Sequence, residues 1–271
     1  MTVIAHRDRW TDDRPPAAAS SITPPAAAHP RWIDTRAAWR ELVLIVAVYE
    51  LYTATRRISA GGADDAIANA RRVLRVEHVA GLTPERWLNH VVSQRAFLAL
   101  PADYAYASLH YVVTPVVLVW LWRAHRSAYL PARRTLMAAT LLGLAGFMIL
   151  PLAPPRMMPG FIDTMAAYGH VGWWGSAASA PKGLGAFTNQ FAAMPSLHVG
   201  WAIWCGVMVA RHARRTWVRS LAAAYPAMVV LVVLSTANHY LLDVVAGLAV
   251  LLAGVAISRS AVRIGLLQPP P

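Results

Sequence analysis

His239 and Asp243 stand four residues apart at the start of an apolar run. On a helix that spacing puts both side chains on one face, close enough to meet. An ionisable residue within a membrane helix is costly and is by default a functional candidate. Asp243 can accept a hydrogen bond from one ring nitrogen of His239. The other nitrogen is then unprotonated and aimed, the orienting role an acid plays in hydrolytic triads. A histidine held this way can act as a nucleophile. The competing reading has Asp243 satisfying a neighbouring helix and nothing more.

Two further polar clusters interrupt the apolar pattern. In Met194-Pro-Ser196-Leu-His198 a polar loop turns into an apolar run. Proline suits the first turn of a helix, and the free N–H groups of such a turn form an anion site. The near-neutral pKa of a histidine suits His198 to protonate a leaving oxygen and later deprotonate an incoming hydroxyl. A merely satisfied membrane histidine is the alternative. Ser196 either caps the helix or donates a hydrogen bond to a phosphoryl oxygen, and the spacing does not separate the two. The other cluster, Pro151 to Pro159, holds Arg156 among prolines. Its guanidinium fork matches phosphate geometry, or it snorkels as a membrane anchor. Lys182, the other cation of that loop, sits in a Gly-rich stretch and is the weaker candidate.

The elements that must position these groups are membrane helices. Only 14% of the 271 residues are charged and 57% are hydrophobic, against about 25% charged in a soluble domain. The reading is an all-α polytopic membrane protein with six transmembrane helices. They are Leu42–Thr55, Tyr104–Trp122, Thr135–Leu152, Phe191–Ala210, Trp217–Ala237 and Tyr240–Ile257. The first is short for a span of about 20 residues and needs its flanks. Residues 1–38, rich in Pro, Ala, Arg and Asp, read as a disordered tail with no signal peptide. Residues 39–258 read as the membrane domain and 259–271 as a short tail. The connector 56–102 reads as one or two interfacial amphipathic helices broken near Gly81 and Pro84. Arg123–Arg134 and Arg211–Thr216 read as short basic links. No internal repeat is evident, which argues against a tandem-repeat transporter.

The net charge of +12 does not indicate nucleic acid, because the arginines cluster where apolar runs end. There they orient helices and meet anionic head groups. With both termini inside, sixteen Lys and Arg fall on cytoplasmic segments and two in the outer loops. The seven in the first connector do not follow the rule. Helix parity alone brings the three polar clusters to one membrane face, and charge makes that face the outer one. The expected location is the plasma membrane. Cys205, the single cysteine, lies inside an apolar run, so disulfides play no part. His110 and Glu50, inside spans, divide evenly between structural and head-group roles, and Glu77 has no assigned role. Trp173 and Trp174 read as an interfacial belt.

In this order and on these helices, the clusters resemble the motifs of the type 2 phosphatidic acid phosphatase superfamily. Arg156 matches the arginine of the first motif, Pro195, Ser196, Leu197 and His198 the second, and His239 with Asp243 the third. Leu197 stands where the family usually has glycine, and Ile149 and Val233 stand where it usually has a lysine and an arginine. The forms Met-Pro-Ser-Leu-His, Pro-Pro-Arg-Met and His-Tyr-x-x-Asp look most like the inositolphosphotransferase branch. The resemblance implies an enzyme without cofactor or metal that acts on a lipid phosphate, with water or a hydroxyl as acceptor. His239 is then the nucleophile, Asp243 its orienting group and His198 the general acid and base. Arg156 and Ser196 bind the phosphate. A lipid-phosphate phosphatase is the alternative, a non-catalytic binding or transport protein of the same fold the second. A metal site is a third, since two histidines and a carboxylate can hold iron or zinc.

Overall fold

The computed structural model describes residues 62–174 and 189–263, with Lys182 and five isolated positions between 39 and 50. The chain divides into two units, Met1–Val43 and Leu44–Pro271, and the fold below is that of the second. The terminal tail and nearly all of the first expected span lie outside the described residues.

The connector forms two helices, α1 (Ala63–Val79) and α2 (Pro84–Ser93). Asp64 and Asp65 occupy the first turn of α1, where negative charge complements the helix dipole. The chain turns at Gly81, whose φ of +68° suits a residue without Cβ. Pro84 then starts α2, needing no N–H there. The break expected near Gly81 and Pro84 is where the structure puts it.

Four long helices follow: α3 (Ala96–Ala124), α4 (Arg126–Ile149), then, beyond the loop and a single turn α5 (Thr164–Ala167), α6 (Leu197–His212) and α7 (Thr216–Ser235). The last helix, α8 (Leu241–Arg263), carries Asp243 in its first turn. The described residues contain no strand, and the expected all-α class holds. By length and composition α3, α4, α7 and α8 can each cross a membrane; α6 is shorter, at sixteen residues.

Helix ends depart from the hydropathy reading. α3 begins eight residues before Tyr104, and only His125 separates it from α4, so the stretch read as a basic link is mostly helical. Arginine stems can run along apolar surface while their heads reach water, so helices continue past the membrane edge that hydropathy marks. At the other extreme, residues 191–196 of the expected fourth span are not helical. They form the approach to α6.

Helix α6 packs against α3, α4, α7 and α8. Trp201 and Trp204 donate their indole N–H groups to Thr140 Oγ1 and the Ala132 carbonyl of α4, each at 3.0 Å. Against α8 the approach depends on Gly200 and Gly247. A Cβ on Gly247 would collide with the Ser196 carbonyl, and one on Gly200 would sit 3.2 Å from the Gly247 carbonyl. Small residues let membrane helices come this close.

Candidate active site

The three polar clusters are joined through the main chain. Leu152 N–H donates to Phe191 O at 2.7 Å, and Arg156 N–H to Ala237 O at 2.8 Å. Ser196 N–H donates to Asp243 O at 2.9 Å. Segments that helix parity assigned to one face are therefore in direct contact.

His239 is aimed by the way α7 ends. Ala237 takes φ +53°, the left-handed conformation that closes helices and is usually left to glycine. The chain folds back so that Asn238 N–H and His239 N–H both reach Val233 O at 3.2 Å. Four residues beyond His239, Asp243 Oδ2 accepts from Tyr240 N–H at 2.9 Å. That bond satisfies a donor which a helix start leaves open.

The tautomer of His239 follows from its partners. Nδ1 lies 2.9 Å from the Ala193 carbonyl oxygen and 3.3 Å from Asp243 Oδ2. A carbonyl oxygen can only accept, so Nδ1 carries the proton. Nε2 keeps its lone pair and faces His198 Nδ1 at 3.4 Å. Burial pulls the His239 pKa down to about 4, against the Ala193 hydrogen bond and with help from the Arg156 charge. At neutral pH the ring is an uncharged base.

His198, in the first turn of α6, stacks on Tyr106 with ring centroids 4.6 Å apart. His110, one turn further along α3, meets it edge-on at 4.4 Å. His198 Nε2 is buried without a partner among the described residues. These three rings line a narrow crevice between α3, α6 and α7, otherwise walled by apolar side chains such as Leu109, Val229 and Val233.

Arg156 does not snorkel. Its side chain is 3% exposed, with Nε donating to Asn238 Oδ1 at 3.1 Å and a terminal nitrogen 3.3 Å from Asp163 Oδ2. Asp163 also caps α5, accepting from Ala166 N–H. Ser196 is fully buried and caps α6, its Oγ accepting from Val199 N–H at 3.5 Å. The capping reading therefore has a partner in the fold. Lys182 is exposed. Trp174 is not part of an interfacial belt, because it is fully buried and its indole donates to Met165 O; Trp173 is 44% exposed.

The unusual Leu197 is accounted for by packing. Its side chain leaves the loop and fills a notch over Gly143 of α4, where any Cβ would fall 2.5 Å from Leu197 Cδ2. Leu144, Phe147 and Trp201 complete the notch. No left-handed φ is needed at this position. The positions where related motifs carry cations hold an outward Ile149, 82% exposed, and a fully buried Val233.

Several partners escaped the sequence reading. Tyr106 was signalled by its four-residue spacing from His110, and Asp163 by an acid seven residues after Arg156. Nothing in the sequence signals that the Ala193 carbonyl holds His239. Asn89 of α2 is another case, donating to Ile162 O and Ser235 O at 2.9 Å each. It ties the connector to the end of α7.

A family model described as PAP2 superfamily matches residues 71–257. No curated protein and no solved structure matches the chain.

Proposed function

Because the chain belongs to the PAP2 superfamily, we propose that it is an integral membrane enzyme that breaks a phosphoester of a lipid by way of a phosphohistidine. The observation that carries the reading is the state of His239. Its Nδ1 is held by Ala193 and Asp243, and its Nε2 is a free base opposite His198.

His239 Nε2 attacks phosphorus in line, and a P–N bond forms as the P–O bond to the leaving group breaks. His198, taking up a proton as the anionic substrate binds, gives that proton as an imidazolium to the departing oxygen. An acceptor O–H then returns a proton to His198, its oxygen attacks phosphorus, and the P–N bond breaks to restore His239. The Asp243 carboxylate faces the positive charge that builds on the ring. Arg156 and the N–H groups of the first turn of α6 hold the non-bridging oxygens, where charge develops. The Ser196 oxygen caps that turn, and its hydroxyl proton remains for a substrate oxygen.

The finer reading is transfer to a lipid or polyol hydroxyl, as in the inositolphosphotransferase branch. The motif forms around Arg156, His198 and His239 favour it. The proposal includes six spans, termini on the cytoplasmic side of the plasma membrane and the site on the outer face.

The test offers purified protein a panel of radiolabelled lipid phosphates, with and without inositol head groups, and separates the products by thin-layer chromatography. A labelled head-group lipid shows transfer, and free phosphate alone shows hydrolysis. Activity should survive a chelator and be inhibited by vanadate, and His239→Ala should abolish it. Activity that is lost with chelator and restored by a divalent ion would point to metal chemistry. No turnover of any lipid phosphate would favour a non-catalytic role.

A further inference from the structure

The connector helices bring two glutamates to the back of the site, and neither has a role in the mechanism above. Glu77, near the end of α1, and Glu85, in the first turn of α2, are 1% and 0% exposed. Glu77 Oε1 accepts the Leu242 N–H at 2.7 Å. Leu242 lies between Tyr240, whose N–H is held by Asp243, and Asp243 itself. The first turn of a helix has N–H groups with no partner inside the helix. In α8 one of them is taken by a carboxyl group brought from a different part of the chain. Asn69 adds to this docking, donating to Pro151 O at 2.9 Å from the same helix.

The remaining carboxyl oxygens set a constraint. Glu77 Oε2 and both oxygens of Glu85 find no donor among the described residues, while the two buried carboxyl groups interact electrostatically with each other. The charge of Asp243 in α8 bears on both, the two glutamates bear in turn on Tyr240, and the Arg86 charge in α2 opposes the effect at Glu85. Three ionised carboxylates in such a place would carry a desolvation and repulsion penalty that one arginine does not offset. Like-charged carboxyl groups in contact share a proton instead.

We propose that Glu77 and Glu85 form a proton-sharing pair in which Glu77 is a positioning residue for the nucleophile, holding the first turn of α8 so that Asp243 is the carboxylate presented to His239. The inference rests on the phosphoryl-transfer reading for its link to catalysis. The electrostatics agree with the geometry. Burial, above all, pushes the Glu77 pKa up to about 8, with the Leu242 hydrogen bond opposing, and burial also raises that of Glu85. The pair titrates as a unit rather than as two separate acids.

The experiment uses full-length protein in detergent and has two readouts. Infrared spectroscopy looks for the carbonyl stretch of a protonated carboxylic acid, and calorimetry measures the affinity for orthovanadate at pH 7. The wild type should show the acid band at neutral pH, which should fade as the pH is made alkaline and weaken in both Glu77→Gln and Glu85→Gln. Glu77→Ala should bind vanadate about tenfold more weakly, the loss expected for a hydrogen bond to a charged or shared-proton acceptor. Glu77→Gln, which keeps an amide oxygen for Leu242, should restore most of that affinity. Restoration by Gln separates positioning from a simple requirement for a folded protein. A wild type without the acid band, or a band untouched by either Gln variant, overturns the shared proton. Vanadate affinity unchanged in Glu77→Ala overturns the positioning role. Wild-type protein that shows the band yet binds no vanadate overturns the phosphoryl-transfer reading, while the pair itself stands.

Discussion

The main-chain N–H of Ser196 donates to the main-chain carbonyl of Asp243 at 2.9 Å, so the motifs that carry His198 and His239 are joined by a bond that involves no side chain. The bond exists because Gly200 and Gly247 let α6 and α8 approach closely. The 3.4 Å between the two histidine rings is thus set by helix packing as much as by the histidines.

Gly247→Ala tests this dependence. Its new methyl group would collide with the Ser196 carbonyl, and overpacking costs about 1–3 kcal/mol. A lower melting temperature should come with a fall in kcat that exceeds any change in KM. Gly200→Ala, whose methyl would meet the Gly247 carbonyl at 3.2 Å, should be milder. If Gly247→Ala keeps wild-type kcat, the close approach does not govern the site.

Arg156 is buried beside Asn238 and paired with Asp163. Removing a group that stabilises transition-state charge typically lowers kcat by about 10²–10³-fold. Arg156→Ala should show a loss of that size in phosphate transfer or release. Arg156→Lys should recover only part of it, since an ammonium lacks the planar fork that reaches Asn238 and a phosphoryl oxygen together. Full recovery by lysine would mean that charge alone matters there.

Leu197→Gly would bring the second motif to the family's usual form. The packing predicts no gain in activity, because Leu197 fills the notch over Gly143 and stays out of the phosphate cradle. Emptying a buried leucine site costs about 2–5 kcal/mol. Thermal unfolding in detergent should reveal the loss, and a rise in kcat would contradict the packing account.

The pH dependence of phosphoenzyme formation reports on His239. Its pKa is lowered to about 4, chiefly by burial, so the lone pair on Nε2 is available above that value and is lost as pH falls through it. Rapid-quench measurement should place the loss of rate that comes from protonating His239 near pH 4 rather than near 6.5. The same shift affects stability. An unfolded histidine titrates near 6.5 and takes up a proton that the folded ring refuses, so folding weakens as pH drops from about 6.5 to 4. His239→Asn should remove that share of acid sensitivity in a melting series.

The sequence alone determined the helical class, the approximate place of each long helix described and the superfamily its motifs point to. Continuous apolar runs of about 20 residues satisfy their own backbone in a bilayer as helices. The order of Arg156, His198, His239 and Asp243 along them put the reactive groups on one face by parity. The break at Gly81 and Pro84 was legible for the same local reason. Only the tertiary structure decided which hydrogen bonds those groups make. The Ala193 carbonyl that fixes the His239 tautomer and the Glu77 that accepts from α8 are separated from their partners by chain distances that leave no periodic trace. Trp174 and Leu197 make the same point from packing, since an aromatic near a span end or a leucine in a motif looks alike whether it faces lipid, ligand or core. Leu197 depends on where α4 and α6 cross, at a glycine, Gly143, whose significance appears only when the second helix lies against it, and Trp174 on how the loop returns to Met165 and Tyr104.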